Sequence, residues 1–475
     1  MMKRLTLSSL VIGIVVLATF LASACSSQTT EPAAAPRNVI LLIGDGLDDH
    51  QLTLARNYLQ GPDGAFVMEG LPVTGASKVL TVAEDDPSRP VYVADSANSA
   101  TAMATGEITS IGRIATTAGT DRDLVTILEL ARDAGYRTGL VTTASIADAT
   151  PAAFATHIRN RHCMGPRDML NPLGIFGPEK GCQEELKSNG GLGSIAEQLI
   201  ASETTVLLGG GISSFEQPLP EDSAQTVLDL ARAAGYRVIT QPDDLTAAEP
   251  GTMLLGLFAS GTMAVEWQGE DQRRAEFMAF DSVGEPISPV PFACVPNPRH
   301  AGLPSLAEMT AVALKSLSED NQRGFFLMVE GASIDKQAHV RNPCGQIGET
   351  AAFDQAVAGA IAFARQQPDT LLIVTADHGQ TGQIVSYPSL AKDRAQARGL
   401  GPQYTLGRLA LLTMPHGGVM AVQYATNSSP DGIFEEHTGT HVPVFASGPG
   451  ADPLNGLIRQ SDIFAAMARH LGVPH

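Results

Sequence analysis

Positive charge is scarce in this chain. Its 475 residues carry 31 Lys and Arg against 50 Asp and Glu, a formal net charge of −19. Nucleic-acid binding draws its affinity from Lys and Arg neutralising phosphates, so nucleic acid is argued against as a partner. A small anionic substrate is not, because a local cluster of cations overrides the global field. Closely spaced cysteines are missing too. There are five, with no C-x-x-C pair, which leaves a cysteine-rich zinc site without support. No internal repeat is present. What remains is a globular composition, 44% apolar and 17% charged. The length suits one large domain or two ordinary ones, with a core that need not depend on disulfides.

The first residues read MMKRLTLSSLVIGIVVLATFLASAC. Lys3 and Arg4 form a positive n-region, Leu5 to Leu21 an apolar stretch, and Ala22-Ser23-Ala24 a cleavage site. Residues 1–24 therefore read as a signal peptide, and the protein is expected to be exported to the periplasm or cell envelope. Cys25 at the boundary favours lipidation of its thiol, with residues 25–36 as a flexible tether, over release as a soluble protein. Any membrane association is expected only through that anchor. With Cys25 set aside, Cys163, Cys182, Cys294 and Cys344 remain. An even count in an exported protein suggests two disulfides. Proximity favours Cys163–Cys182 and Cys294–Cys344, although three pairings are open.

Short apolar runs recur along the chain and end in Gly or a polar residue. They span Asn38 to Gly46, Tyr136 to Ala144, Thr204 to Gly211, Gly324 to Gly331, Asp369 to Gly379 and His441 to Gly448. Helical patterns lie between them, as in Asp121 to Ala134, Ser223 to Ala234 and Glu349 to Arg365. This alternation predicts an α/β three-layer sandwich: a mostly parallel central sheet with helices on both faces. Residues 37–475 form the expected main domain. Tyr387 to Phe434 is less regular and reads as a surface insertion between two site segments.

In such sheets, ligands bind beyond the carboxyl ends of the strands. Asp45, Glu330, Asp377 and His378 all fall there. Asp335 and His339 are spaced i, i+4, so a helix places them on one face. His437 lies just before the last apolar run. Carboxylates with His nitrogens suit zinc, and oxygen donors suit magnesium. One isolated Asp or His is a cap or a core residue by default, but a set of them at strand ends is not. The stretch DSANSATAMATG, Asp95 to Gly106, predicts a short helix. Ser96 at its mouth reads as an N-cap, and also as a nucleophile facing an anion site.

Six segments together resemble the bacterial alkaline phosphatases of the binuclear zinc type: LLIGDG, DSANSATAMATG, DATPAAFATH, VEGASIDKQAHVRNPCGQIGET, VTADH and EHTG. The resemblance runs from Asn38 to about Leu471. It implies that Ser96 is the phosphorylated nucleophile, capping its helix as well. It implies two Zn²⁺ and one Mg²⁺. Asp335, His339 and His437 match the ligands of the zinc that handles the leaving group and the attacking water. Asp45, Asp377 and His378 match those of the zinc that activates the serine. Asp45, Thr150 and Glu330 match the magnesium ligands. Arg161 matches the arginine that forks onto phosphate oxygens, with Arg159 as the neighbour most easily confused with it. Asp148 and Lys336 match residues that position magnesium water and phosphate. The two disulfides named above match the family's pair. Where many members carry a second His after the DH pair, this chain has Gln380, which implies altered zinc affinity. A homodimer is expected from the resemblance alone.

The implied activity is hydrolysis of small phosphate monoesters through a phosphoserine. Intact Thr150, Glu330 and Arg161 favour a monoesterase over a phosphodiesterase on the same scaffold, because a diester has one fewer charged oxygen. A sulfatase generally needs a modified Cys or Ser in a different motif. A lipoprotein that binds phosphate or metal without turnover has no need of Ser96 beside a full ligand set.

Overall fold

The six apolar runs become six adjacent strands at the centre of one sheet. The computed structural model describes residues 37–170, 181–247, 250–277, 279–283, 286–386, 408–424 and 434–475. The expected signal peptide, tether and Cys25, and much of the 387–434 segment, lie outside them. Ten strands build the sheet: β1 (Arg37–Gly44), β2 (Val73–Lys78), β3 (Arg137–Ser145), β4 (Val206–Gly210), β5 (Arg237–Ile239), β6 (Leu254–Leu257), β7 (Gly324–Gly331), β8 (Thr370–Ala376), β9 (Val442–Ser447) and β10 (Gly456–Arg459). Their order is β10-β2-β9-β8-β1-β7-β3-β4-β6-β5. Every neighbouring pair is parallel except those made by β9, which runs antiparallel to β8 and β2.

Both faces of the sheet are covered at its centre, which is why the central strands are apolar throughout rather than alternating. Along β1, Val39, Leu41 and Ile43 join one core, and Ile40 and Leu42 join the other. The first core includes helices α1 (Ser96–Thr105) and α2 (Ala149–Ala155). The second includes Ile334 from α3 (Ser333–His339) and the inner face of α4 (Pro343–Gln366). All five β1 side chains are fully buried, each worth about 1.5–3 kcal/mol by area. Register then levels one edge of the sheet. Gly44 pairs with Gly331 on β7 and with Ala376 on β8, so three strands end level.

Helix boundaries depart from the expected ones for local reasons. The Asp121 to Ala134 pattern becomes a helix only over Ile127–Asp133, because Thr126 and Glu129 form a capping box there and Asp121 is left-handed, φ 54°. The Ser223 to Ala234 pattern starts at Val227 after the Thr126-like cap Thr226. By contrast α4 begins at Pro343, ahead of Glu349, because Asn342 caps it and Pro sits in its first turn. Part of the 387–434 segment is more regular than its composition suggested. Arg408–Thr413 and Val419–Tyr424 form a hairpin in a four-stranded sheet with Gln383–Val385 and Glu276–Phe277. Its Ala410, Leu412, Val422 and Tyr424 reach the main core. Cys163–Cys182 and Cys294–Cys344 are both bonded, with Cα atoms 6.4 and 5.1 Å apart. Among the described residues, no helix is long and apolar enough to cross a membrane.

Candidate active site

The chain turns sharply as it leaves β1, and that turn starts the site. Gly46 has φ +69°, and a Cβ there would lie 3.1 Å from the Asp335 backbone. Only glycine suits both the conformation and the close approach. The turn lets the Gly46 N–H donate to Asp377 Oδ1 at 2.9 Å, and the His378 N–H donates to the same oxygen at 2.8 Å. Asp377 is thereby aimed: its Oδ2 has no hydrogen-bond partner, although fully buried, and lies 3.3 Å from His378 Nε2. Asp45 Oδ1 is also buried without a partner, 3.4 Å from the same nitrogen.

A second cluster adjoins the first. On α3, the i, i+4 spacing brings His339 Nε2 to 3.2 Å from Asp335 Oδ2. His437 Nε2 lies 3.3 Å from Asp335 Oδ1 and 3.1 Å from His339 Nε2. Asp335, His339 and His437 offer atoms within 4.8 Å of one another, and so do Asp45, Asp335 and His378. Asp335 therefore stands between the two groups. The His378 and His437 rings stack at 3.6 Å.

Both clusters suit cations, and the far sides of the histidines say so. His437 Nδ1–H donates to the Ala94 carbonyl at 2.8 Å, His339 Nδ1–H to the Glu435 carbonyl, and His378 Nδ1–H to the Gly379 carbonyl at 3.3 Å. Those bonds hold all three rings with Nε2 facing inward, the orientation metal-binding histidines need. The orphaned oxygens of Asp45 and Asp377 beside His378 add to a donor set that suits a metal cation. Burial, joined by the charges of Asp377, Asp335 and Glu330, pushes Asp45 well above the usual carboxylate range. Burial pushes His378 down to about 4. Burial opposes charge on His437 as well, but the Asp335 carboxylate overrides it and raises it to about 9. Asp335 is held well below its ordinary value against its burial by His339 and His437. Such a surplus of buried carboxylates calls for compensating cations.

Ser96 opens α1 at this edge, but it does not cap it. The cap is Asp95, which accepts from the Asn98 N–H at 3.0 Å, while Asn98 Oδ1 accepts from the Asp95 N–H at 2.8 Å. The expectation that Ser96 caps the helix is corrected: a capping box one residue earlier takes that role. Its hydroxyl is therefore free for other work. Ser96 Oγ lies 3.2 Å from His378 Nε2, and the residue is 3% exposed.

Cations line the opposite side. Arg161 pairs with Asp95 Oδ2 at 3.0 Å and Asp148 Oδ1 at 3.3 Å. Lys336 pairs with Asp148 Oδ2 at 2.8 Å. Asp148 caps α2 through the Ala149 N–H and is held far below its usual range, against burial, by Lys336 and Arg161. Arg159 lies elsewhere, bound to Glu184 and the Gly181 carbonyl. Thr150, in the first turn of α2, faces Glu330 without a well-formed hydrogen bond of its own. Burial raises Glu330 to about 7, partly offset by a hydrogen bond from Thr142.

Three contributors escaped sequence reasoning. Asp95 both caps α1 and holds Arg161, and its place before Ser96 was the available signal. Thr142 braces Glu330, as their pairing across β3 and β7 requires. Gln380 was noted as a substitution. It donates to Asp335 Oδ1 at 2.6 Å, and nothing in the sequence alone gave that contact.

The Alkaline phosphatase family model matches residues 36–473. The chain is 44% identical to streptomycin-6-phosphate phosphatase of Streptomyces griseus, over 98% of this chain and 97% of that one. It is 40% identical to the alkaline phosphatase of Escherichia coli K12, over 94% and 88%. The solved alkaline phosphatase of the Antarctic bacterium TAB5 shares the fold with a TM-score of 0.64 at 24% identity, covering 93% of this chain and 99% of that one. The ordered edge of the sheet, with Ser96 and the paired clusters, is thus the candidate active site of a member of the alkaline phosphatase family, a family of phosphoric monoester hydrolases.

Proposed function

We propose that this protein hydrolyses phosphate monoesters by two displacements at phosphorus, through a phosphorylated Ser96. The observation that carries the reading is Ser96 Oγ, uncommitted to capping, 3.2 Å from His378 Nε2 where both clusters meet. Asp45, Asp377 and His378 would hold one Zn²⁺, Asp335, His339 and His437 a second, and Asp45, Thr150 and Glu330 a Mg²⁺. When bound, these ions supply Lewis acidity that makes serine and water nucleophilic near neutral pH. Ser96 Oγ then forms a bond to phosphorus as the ester P–O bond breaks. Water attacks the phosphoserine next and returns Ser96, so configuration at phosphorus is retained. Arg161, held by Asp95 and Asp148, presents a planar fork to equatorial oxygens. Lys336, held by Asp148, adds positive charge beside them.

The S. griseus relative is named for a phosphate monoester, which supports the same class of substrate here. Export behind residues 1–24, lipidation at Cys25 and a homodimeric state belong to the same proposal, on the sequence alone. The test is a paired assay on protein lacking residues 1–25. p-Nitrophenyl phosphate and its bis-ester are supplied with zinc and magnesium, after chelation, and to Ser96→Ala. Metal-dependent monoester turnover, lost by about a thousandfold or more in the variant, is expected. Preference for the bis-ester overturns the monoesterase assignment. Metal binding with no turnover of either overturns catalysis.

A further inference from the structure

A cavity of about 940 Å³ opens directly beside the His339 cluster, within the size range of small-molecule sites. Lys336 and His339, from the site, line it. So do Arg274 and Arg299, and Glu436 is the only carboxylate among its described lining residues. In a chain of net charge −19, this concentration of cations runs against the global field.

The two arginines stand out from their neighbours by being uncommitted. Arg273, one residue away, is used up: it binds Glu276 Oε1 at 2.9 Å and lies 4.7 Å over the Phe292 ring. Among the described residues, neither Arg274 nor Arg299 has an ion pair or a side-chain hydrogen bond. Their backbones, however, are fixed. The Ala275 N–H donates to the Arg341 carbonyl at 3.0 Å, and the Arg299 N–H to Asn297 Oδ1 at 3.1 Å. Asn297 in turn donates to the Val265 carbonyl at 2.7 Å. Just before Arg274, Asp271 and Gln272 both hold left-handed φ values of 53° and 60°, a costly backbone for two successive L residues. Gln272 lines the cavity as well. A third group points the same way. Ser333 lines the cavity, is 1% exposed, and its Oγ has no hydrogen-bond partner.

We propose that this cavity is a leaving-group subsite that recognises a second anionic group, phosphate or carboxylate, on a polar substrate. The inference rests on the phosphomonoesterase reading. The scissile phosphate would sit at the Ser96 end. The leaving group extends along the cavity, and its far anion meets Arg274 and Arg299, which suit carboxylate and phosphate alike. A cationic leaving group is disfavoured by the same two residues.

The test compares matched substrates on metal-loaded enzyme. Fructose 1,6-bisphosphate is set against fructose 6-phosphate, and 3-phosphoglycerate against glycerol 3-phosphate, with p-nitrophenyl phosphate as reference. Each is run on the wild type, Arg274→Ala/Arg299→Ala and Arg274→Lys/Arg299→Lys. In the alanine variant, kcat/KM for the doubly anionic member of at least one pair falls about threefold to tenfold through KM, and the lysine variant recovers part of it. Turnover of p-nitrophenyl phosphate stays unchanged. The first pair reports a phosphate, the second a carboxylate. Equal effects on both members of each pair overturn the subsite. Absence of p-nitrophenyl phosphate turnover in the wild type overturns the activity beneath it instead.

Discussion

The two halves of the metal-type centre are built differently. The inner half, Asp45, Asp377 and His378, comes directly off level strand ends, and its histidine is fully buried. The outer half, Asp335, His339 and His437, comes from a short helix and a loop, with histidine side chains 23% and 12% exposed. The inner half is dry and held by backbone N–H groups. The outer half has access to solvent and opens to the cavity. On the proposed function, rigid geometry serves the half that aims Ser96, and access serves the half where water enters and alcohol leaves; one scaffold would supply both from elements of different stiffness.

Substitution tests this contrast most severely. His378→Ala is expected to lower kcat/KM on p-nitrophenyl phosphate by more than a hundredfold, roughly the ceiling for residues that merely support ligands, with no recovery in excess zinc. His437→Ala is expected to recover partly as zinc rises. Equal responses would erase the distinction between the halves. Chelation is the next largest test. Metal is expected to leave in two phases, and the faster one should disappear from the profile of His339→Ala. A single phase in the wild type counts against the difference in access.

Gln380→Ala sharpens the comparison from outside the ligand set. Losing its bond to Asp335 is expected to weaken metal retention about tenfold in the outer half only, measured by zinc titration against a chromophoric competitor. The smallest effect concerns a buried carboxyl with no cation paired to it among the described residues. Burial, helped by Glu266, raises Glu349 from an ordinary 4.5 to about 8. Its contribution to stability is therefore complete below pH 4.5 and is lost as pH rises toward 8. Glu349→Gln should raise Tm at pH 9 by a few degrees and change it little at pH 5. A constant difference across pH would mean that the carboxyl is ionised in the fold.

Much of this was legible in the sequence, and the unread parts share a cause. The six strands read from the sequence are the central ones, where burial on both faces makes the apolar signal continuous. The four unread strands, β2, β5, β6 and β10, lie at the two sides of the sheet. β2 and β10 are half-exposed, and β5 and β6 are three and four residues long. Site residues carried by long motifs fall together in space as expected. Ser96 was misjudged as a cap because Ser and Asp are nearly equal in that role, and only φ, ψ and hydrogen bonds separate them. Contacts between distant segments, such as Gln380 with Asp335, have no local signature at all.

The reversed direction of β9 has a consequence in time. β1 and β8 deliver Asp45, Asp377 and His378 just after they end, but an antiparallel strand brings its beginning to the same edge. His437 therefore arrives from ahead of β9, which must insert between β8 and β2, a strand laid down more than three hundred residues earlier. A chain growing from its N-terminus carries Asp45, Asp377 and His378 well before it carries His437. The outer half closes only when β9 docks, so on the proposed function hydrolysis waits until nearly the whole chain has been made and folded.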